Sequence, residues 1–183
     1  MRGVVDACFL IDWSRFRRRR ILEELFDVLL VHEEVLGQVR SEVTVEYASS
    51  LLAKGVLRLY PWSEADEVEF VTLRSQVSSN SRIPSLERPD LLCLIIAYNS
   101  GAVLLSENVG VHRVVEYHPK YSRVRVWTAL DVIEQSVYRG LVEVQSEADF
   151  LRVVKEYELD THHRFRRDRI ERSVGRVRAW LRG

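Results

Sequence analysis

The chain has 183 residues, no net charge at neutral pH, and a composition of 46% hydrophobic and 30% charged residues. That balance fits one folded domain with a sizeable core and excludes a low-complexity or disordered chain. No apolar run reaches the roughly 18 residues that span a bilayer, so no membrane partner is expected. The first residues run straight into a strand pattern, so no signal peptide is expected and the expected compartment is the cytoplasm.

Val4 to Asp6 reads as a short buried strand, after which Phe9, Leu10, Trp13 and Phe16 recur at helical spacing. A second helix is predicted over Arg19 to Phe26, a buried strand over Val28 to Val31, and helical segments from about Glu33 to Lys54, closed by Gly55. Val56 to Tyr60 is a strand ended by Pro61. Ser63 then caps a helix to about Val77, with acids in its first turn matching the helix dipole. Residues 78 to 85 form a polar loop. Asp90 to Asn99 is helix, Ala102 to Leu105 strand and Val109 to Glu116 helix; Val124 to Trp127 is strand, and Thr128 caps a helix to Tyr138. Ser146 to Asp149 has the capping-box pattern and opens a helix to about Glu158, and Thr161 to Trp180 reads as one basic helix. Strands alternating with helices indicate an α/β fold with a mostly parallel sheet covered on both faces. The domain is placed at 1–140, with a C-terminal helical extension at 141–183 packed on or beside it.

Two acids stand where apolar strands meet helices. Asp6 ends the first strand, and Asp90 opens a long apolar helix just before the strand that leads into Ser106, Glu107 and Asn108. The carboxyl edge of a parallel sheet is where α/β folds bind ligands. Carboxylates converging there suit a hard divalent cation such as Mg²⁺, which one or two carboxylates hold with water and phosphate.

Cys8 and Cys93 give no disulfide framework and read as two small buried side chains. His162 and His163 are adjacent, do not share a helix face, and read as solvated rather than metal-bound. Charge is uneven: Arg17 to Arg20 form a run of four, and eight arginines lie between His162 and Arg182 against only Asp168 and Glu171. Such a stretch reads equally as a nucleic-acid surface or as a solvated helix face laced with i,i+4 pairs.

The order of these motifs resembles the PIN domain, the nuclease fold of VapC-type toxins and related ribonucleases. Val4 to Asp12 is similar to the family's opening strand and helix, and Val31 to Val39 to its second strand and following helix. Pro89 to Asn108 resembles its third-acid helix and fourth-acid strand end, and Val126 to Ile133 its last strand and helix. The likeness spans about positions 3 to 140 and implies a three-layer sandwich. It also implies Mg²⁺- or Mn²⁺-dependent endonucleolytic hydrolysis of phosphodiester bonds in single-stranded RNA, in which carboxylates hold the metal and no covalent intermediate forms. Asp6 and Asp90 match the first and third family acids and are the expected catalytic and metal-binding pair. Gln38 stands at the second position and Asn108 at the fourth, each with a neutral amide in place of a charge, and Glu107 is adjacent. A shift of alignment would bring in Glu34 or Glu42, which otherwise read as solvated helix acids. Asp12 reads as a capping or salt-bridge residue. The resemblance also implies an antitoxin-like protein partner and a homodimer.

The reduced acid set leaves two functions in competition: a metal-dependent ribonuclease, or a PIN-like module that has lost catalysis and serves RNA binding or protein interaction. A dinucleotide fold would need a glycine-rich turn where Asp6-Ala7-Cys8-Phe9 stands. A phosphoacceptor receiver would need a lysine after a late strand, and neither Leu104 to Glu107 nor Val124 to Trp127 supplies one.

Overall fold

The computed structural model describes all residues 1–183. Five short strands, β1 (Arg2–Val5), β2 (Val28–Val31), β3 (Leu57–Leu59), β4 (Val103–Leu105) and β5 (Val126–Trp127), form one sheet in the order β3-β2-β1-β4-β5, and every pairing is parallel. The sheet expected to be mostly parallel is thus wholly so. Gly3 to Val5 of β1 and all of β4 are apolar runs buried on both faces, as a parallel sheet between helical layers requires.

The helices are α1 (Ala7–Arg15), α2 (Ile21–Leu25), α3 (Glu33–Leu36), α4 (Glu42–Ala53), α5 (Glu64–Ser78), α6 (Arg88–Ser100), α7 (Val109–Tyr117), α8 (Ala129–Tyr138), α9 (Glu147–Thr161) and α10 (Arg167–Arg182). They pack as two groups, α1, α2, α4, α8, α9 and α10 in one and α5, α6 and α7 in the other, which makes a three-layer α/β arrangement. Ser63 and Thr128 close full capping boxes with Asp66 and Asp131. Gly101 ends α6 at φ 64°, a left-handed conformation that a side chain would strain. No helix is long and apolar enough to cross a membrane.

The helical segments expected over 33–54 are two: α3 lasts four residues, and Ser41 starts α4 by accepting the Thr44 N–H. Two other expectations are corrected. Residues 161–180 are not one helix. His162 turns left-handed at φ 61°, and residues 162–166 lie between α9 and α10. Here Thr161 Oγ1 accepts the His163 N–H and the Glu158 carboxylate accepts the Phe165 N–H, so side chains replace the lost helical bonds. At α9 the capping box is only half made, because Asp149 accepts from the Gln145 N–H rather than from that of Ser146.

The extension shares the domain's core. Phe150, Val153, Val154, Tyr157, Phe165 and Val177 belong to the same buried cluster as the sheet. Tyr157 sits against Trp13 and Phe16 and stacks on Phe165 at 5.4 Å. Half of the arginine run 17–20 fastens this junction, Arg17 pairing with Asp160 at 2.7 Å and Arg18 with Glu156 at 2.6 Å, while Arg19 lies over the Tyr47 ring of α4.

Candidate metal and catalytic centre

Chain order jumps at β1: the next strand, β2, lies on one side, while β4 lies on the other. The connections leaving β1 and β4 therefore diverge, and a crevice opens beyond the strands' carboxyl ends. It measures about 500 Å³ and is lined by Asp6, Gln38, Glu87, Asp90, Glu107 and Asn108, together with Cys8. Four of its lining residues are acids and none is basic.

Asp6 is fixed by its place in the chain. It follows β1 directly and caps α1, with Oδ1 accepting the Phe9 N–H at 2.6 Å, while the Ser106 hydroxyl from the end of β4 faces it. Only 7% of the residue is exposed. Burial, with smaller contributions from Asp90 and Glu107, outweighs both hydrogen bonds and pushes its pKa up to about 7.

Asp90 is the third residue of α6, behind Pro89, and its carboxylate accepts the Glu87 N–H. Burial raises its pKa, and Glu87 adds to the rise, against the opposing hydrogen bonds. Asn108 caps α7: its Oδ1 accepts the Gly110 N–H at 2.8 Å, so the amide faces Asp90 as a donor. A Cβ at Gly110 would fall 2.6 Å from the end of the Leu86 side chain, which would have to shift.

Glu107 is different in kind. Its Oε1 accepts the Ala129 N–H at 2.7 Å, at the positive end of α8, and Oε2 lies 3.7 Å from His163 Nε2. Burial raises its pKa, and the Ala129 bond, His163 and Arg169 pull it back. The other face of His163 lies 3.6 Å from Asp12, and pairing with Asp12 raises the imidazole pKa.

Gln38 lines the crevice from the turn after α3, exposed. Because α3 and α4 are separate helices, Glu34 and Glu42 do not share a helix face with it. Glu34 is bound to Arg88 at 3.0 Å, and the same guanidinium holds Glu67. Glu42 is exposed and makes no side-chain bond. Cys8, expected to be buried, is exposed in the crevice, while Cys93 is buried. His162 is exposed.

Sequence reading overlooked three participants. Ser106 was visible as a polar residue closing an apolar strand. Glu87 could be read as a cap before Pro89. His163 carried no local signal, because only the break after α9 brings it to Asp12 and Glu107.

In charge, the donor set fits a hard divalent cation: two partly desolvated carboxylates, two more acids at the walls and no internal cation to neutralise them. No three His, Cys, Asp or Glu side chains stand together as a ready-made metal cluster. Asp6 and Asp90 would therefore supply the protein's share of an oxygen shell, with water and phosphate completing it. Comparison with protein-family models gives no match to this chain, and comparison with curated proteins finds none similar to it.

Proposed function

We propose that the chain is a metal-dependent endoribonuclease of PIN type, hydrolysing phosphodiester bonds of single-stranded RNA in the crevice between β1 and β4. The observation that carries this reading is the gathering of Asp6, Asp90 and Glu107 in one crevice without a basic residue. Mg²⁺ or Mn²⁺, when bound, would polarise the phosphate and lower the pKa of the attacking water. Asp6 and Asp90 are the residues that would hold it. Asp6 is held by the Phe9 N–H, with the Ser106 hydroxyl beside it. The Asn108 amide lies beside Asp90, and Glu107, held by Ala129, forms the far wall.

A second reading rests on the same amides. Gln38 and Asn108 bring no charge, Asn108 faces Asp90 as a donor, and no three-ligand cluster exists. These features favour a PIN-like module that binds RNA or protein without cutting. An antitoxin-like protein or a second copy of the chain would be the protein partner under that reading.

A labelled single-stranded RNA assay separates the two. Cleavage that needs Mn²⁺ or Mg²⁺, stops in EDTA, and is lost in Asp6→Asn and Asp90→Asn supports the ribonuclease. RNA binding without cleavage supports the second reading. Cleavage persisting in EDTA and in both variants contradicts the first.

A further inference from the structure

The break between α9 and α10 does more than close the core. It forms one wall of a groove of about 360 Å³ whose other wall is one side of α7. Four arginines line it, Arg113 from α7 and Arg164, Arg166 and Arg169 from the break and α10, against the two acids Glu107 and Glu116. Glu107 lines both this groove and the acidic crevice, so the two hollows lie on either side of that one side chain.

Arg164 is held by the mostly buried Glu158 at 3.3 Å, but the other three arginines are available in a way that Arg17 and Arg18 are not. Arg169 is half-buried and makes no ion pair or side-chain hydrogen bond, and it also lines the adjoining hollow with Arg172 and Arg176. Arg113 and Arg166 form ion pairs only with neighbours on their own stretch of chain, Glu116 and Asp168, and these four side chains are 44–78% exposed. Exposed pairs of this kind contribute little and exchange readily for a better anion. By contrast, the side chains of Asp160 and Glu156 on α9, which hold Arg17 and Arg18, are mostly buried. Guanidinium forks match phosphate oxygens in pairs, more closely than a point charge does. Val109, 60% exposed beside Asn108, adds an apolar surface to the groove wall. An unstacked base can lie on such a surface; a duplex keeps its bases stacked inside.

We propose that this groove is a phosphate track for a single-stranded nucleic acid, in which Arg113, Arg166 and Arg169 hold backbone phosphates next to the one seated at Asp6 and Asp90. The seating at Asp6 and Asp90 rests on the ribonuclease reading; the binding of the strand does not. The arrangement assigns a task to the C-terminal extension, which is to supply the cationic wall that the acidic crevice lacks.

The test is the affinity of a fluorescein-labelled oligouridylate of about 12 nucleotides, within the usual span of single-strand sites, measured by polarisation in EDTA so that nothing is cut. Arg166→Ala/Arg169→Ala should weaken binding by roughly tenfold or more. It should also flatten the plot of log affinity against log salt by about 1.4, at about 0.7 for each phosphate no longer neutralised. Arg113→Ala/Arg166→Ala, which alters only exposed side chains, should do the same if Arg169 proves necessary for folding. Arg58→Ala, on the far edge strand β3, is the control and should bind like the parent. Unchanged affinity and salt slope in both double variants would overturn the proposal and leave these arginines to an acidic protein partner. Because the measurement excludes metal, the two failures are distinguishable. Equal binding alongside metal-dependent cleavage removes the track and keeps the nuclease, whereas weakened binding in a chain that never cleaves does the reverse.

Discussion

Two buried carboxylates in this fold have opposite surroundings. Glu134 on α8 is 4% exposed and accepts from Nε and Nη2 of Arg176, at 2.7 and 2.6 Å, with the Ser173 and Tyr138 hydroxyls completing its shell. Asp6 is about as deeply buried, yet its donors are one backbone N–H and one hydroxyl, and its charged neighbours are other acids. A buried charge is tolerated when it is paired and hydrogen-bonded. Glu134 meets that condition within the chain and fastens α10 to α8. Asp6 meets it only if a cation comes from outside, or if the carboxyl keeps its proton.

The largest expected effect comes from removing the unpaired charge. Asp6→Asn keeps the side-chain size and an oxygen that can cap α1, and it deletes the desolvation cost. The sign follows from the raised pKa. Below the ordinary value of 3.8, Asp6 is protonated in both folded and unfolded chains, so it costs nothing. As pH rises from there to about 7, the unfolded chain ionises first and the folded state loses stability; above that value the full cost remains. At about 1.4 kcal/mol per pKa unit the ceiling is roughly 4 kcal/mol. Metal-free urea melts near pH 8 should therefore find Asp6→Asn more stable than the parent, and melts near pH 4 should find the gap nearly closed. A variant less stable than the parent near pH 8 would mean that Asp6 is satisfied within the chain.

The paired carboxylate should respond in the opposite direction. Arg176→Ala leaves Glu134 buried without a cation and should cost about 2–3 kcal/mol in the same melts. That is less than the ~3–5 kcal/mol of a fully buried pair, because the arginine is half exposed. A loss below about 0.5 kcal/mol, the level of an ordinary surface substitution, would place this pair with the exposed ones.

How far the sequence carried these distinctions varied with the range of the interactions involved. Strand runs such as Val28–Val31 and caps such as Ser63 and Thr128 are local, and they were legible to within a residue or two. Asp6 and Asp90 were legible as site candidates because strand ends and helix starts are written in local patterns. The start of α4 at Ser41 had a local signal, a serine placed to cap the N–H of Thr44 three residues on. The break at His162 had none: no glycine or proline marks it, and it is held by Phe165 on Tyr157 and by His163 between Asp12 and Glu107. Equally hidden was the fate of each arginine. Arg17 to Arg20 and the arginines beyond His162 read alike as basic stretches, and only the packing of α9 shows that Arg17 and Arg18 are internally paired while Arg169 is free.

The contrast between Asp6 and Glu134 reduces to whether the crevice takes up a cation. Calorimetric titration of Mn²⁺ into metal-stripped protein near pH 7 tests this most directly, since any ligand that binds only the folded state must also stabilise it. The expected result is saturable binding in the parent, a parallel rise in melting temperature, and loss of both in Asp6→Asn and in Asp90→Asn. No saturable binding in the parent, or binding undiminished in both variants, would contradict the assignment of Asp6 and Asp90 as the metal-holding pair.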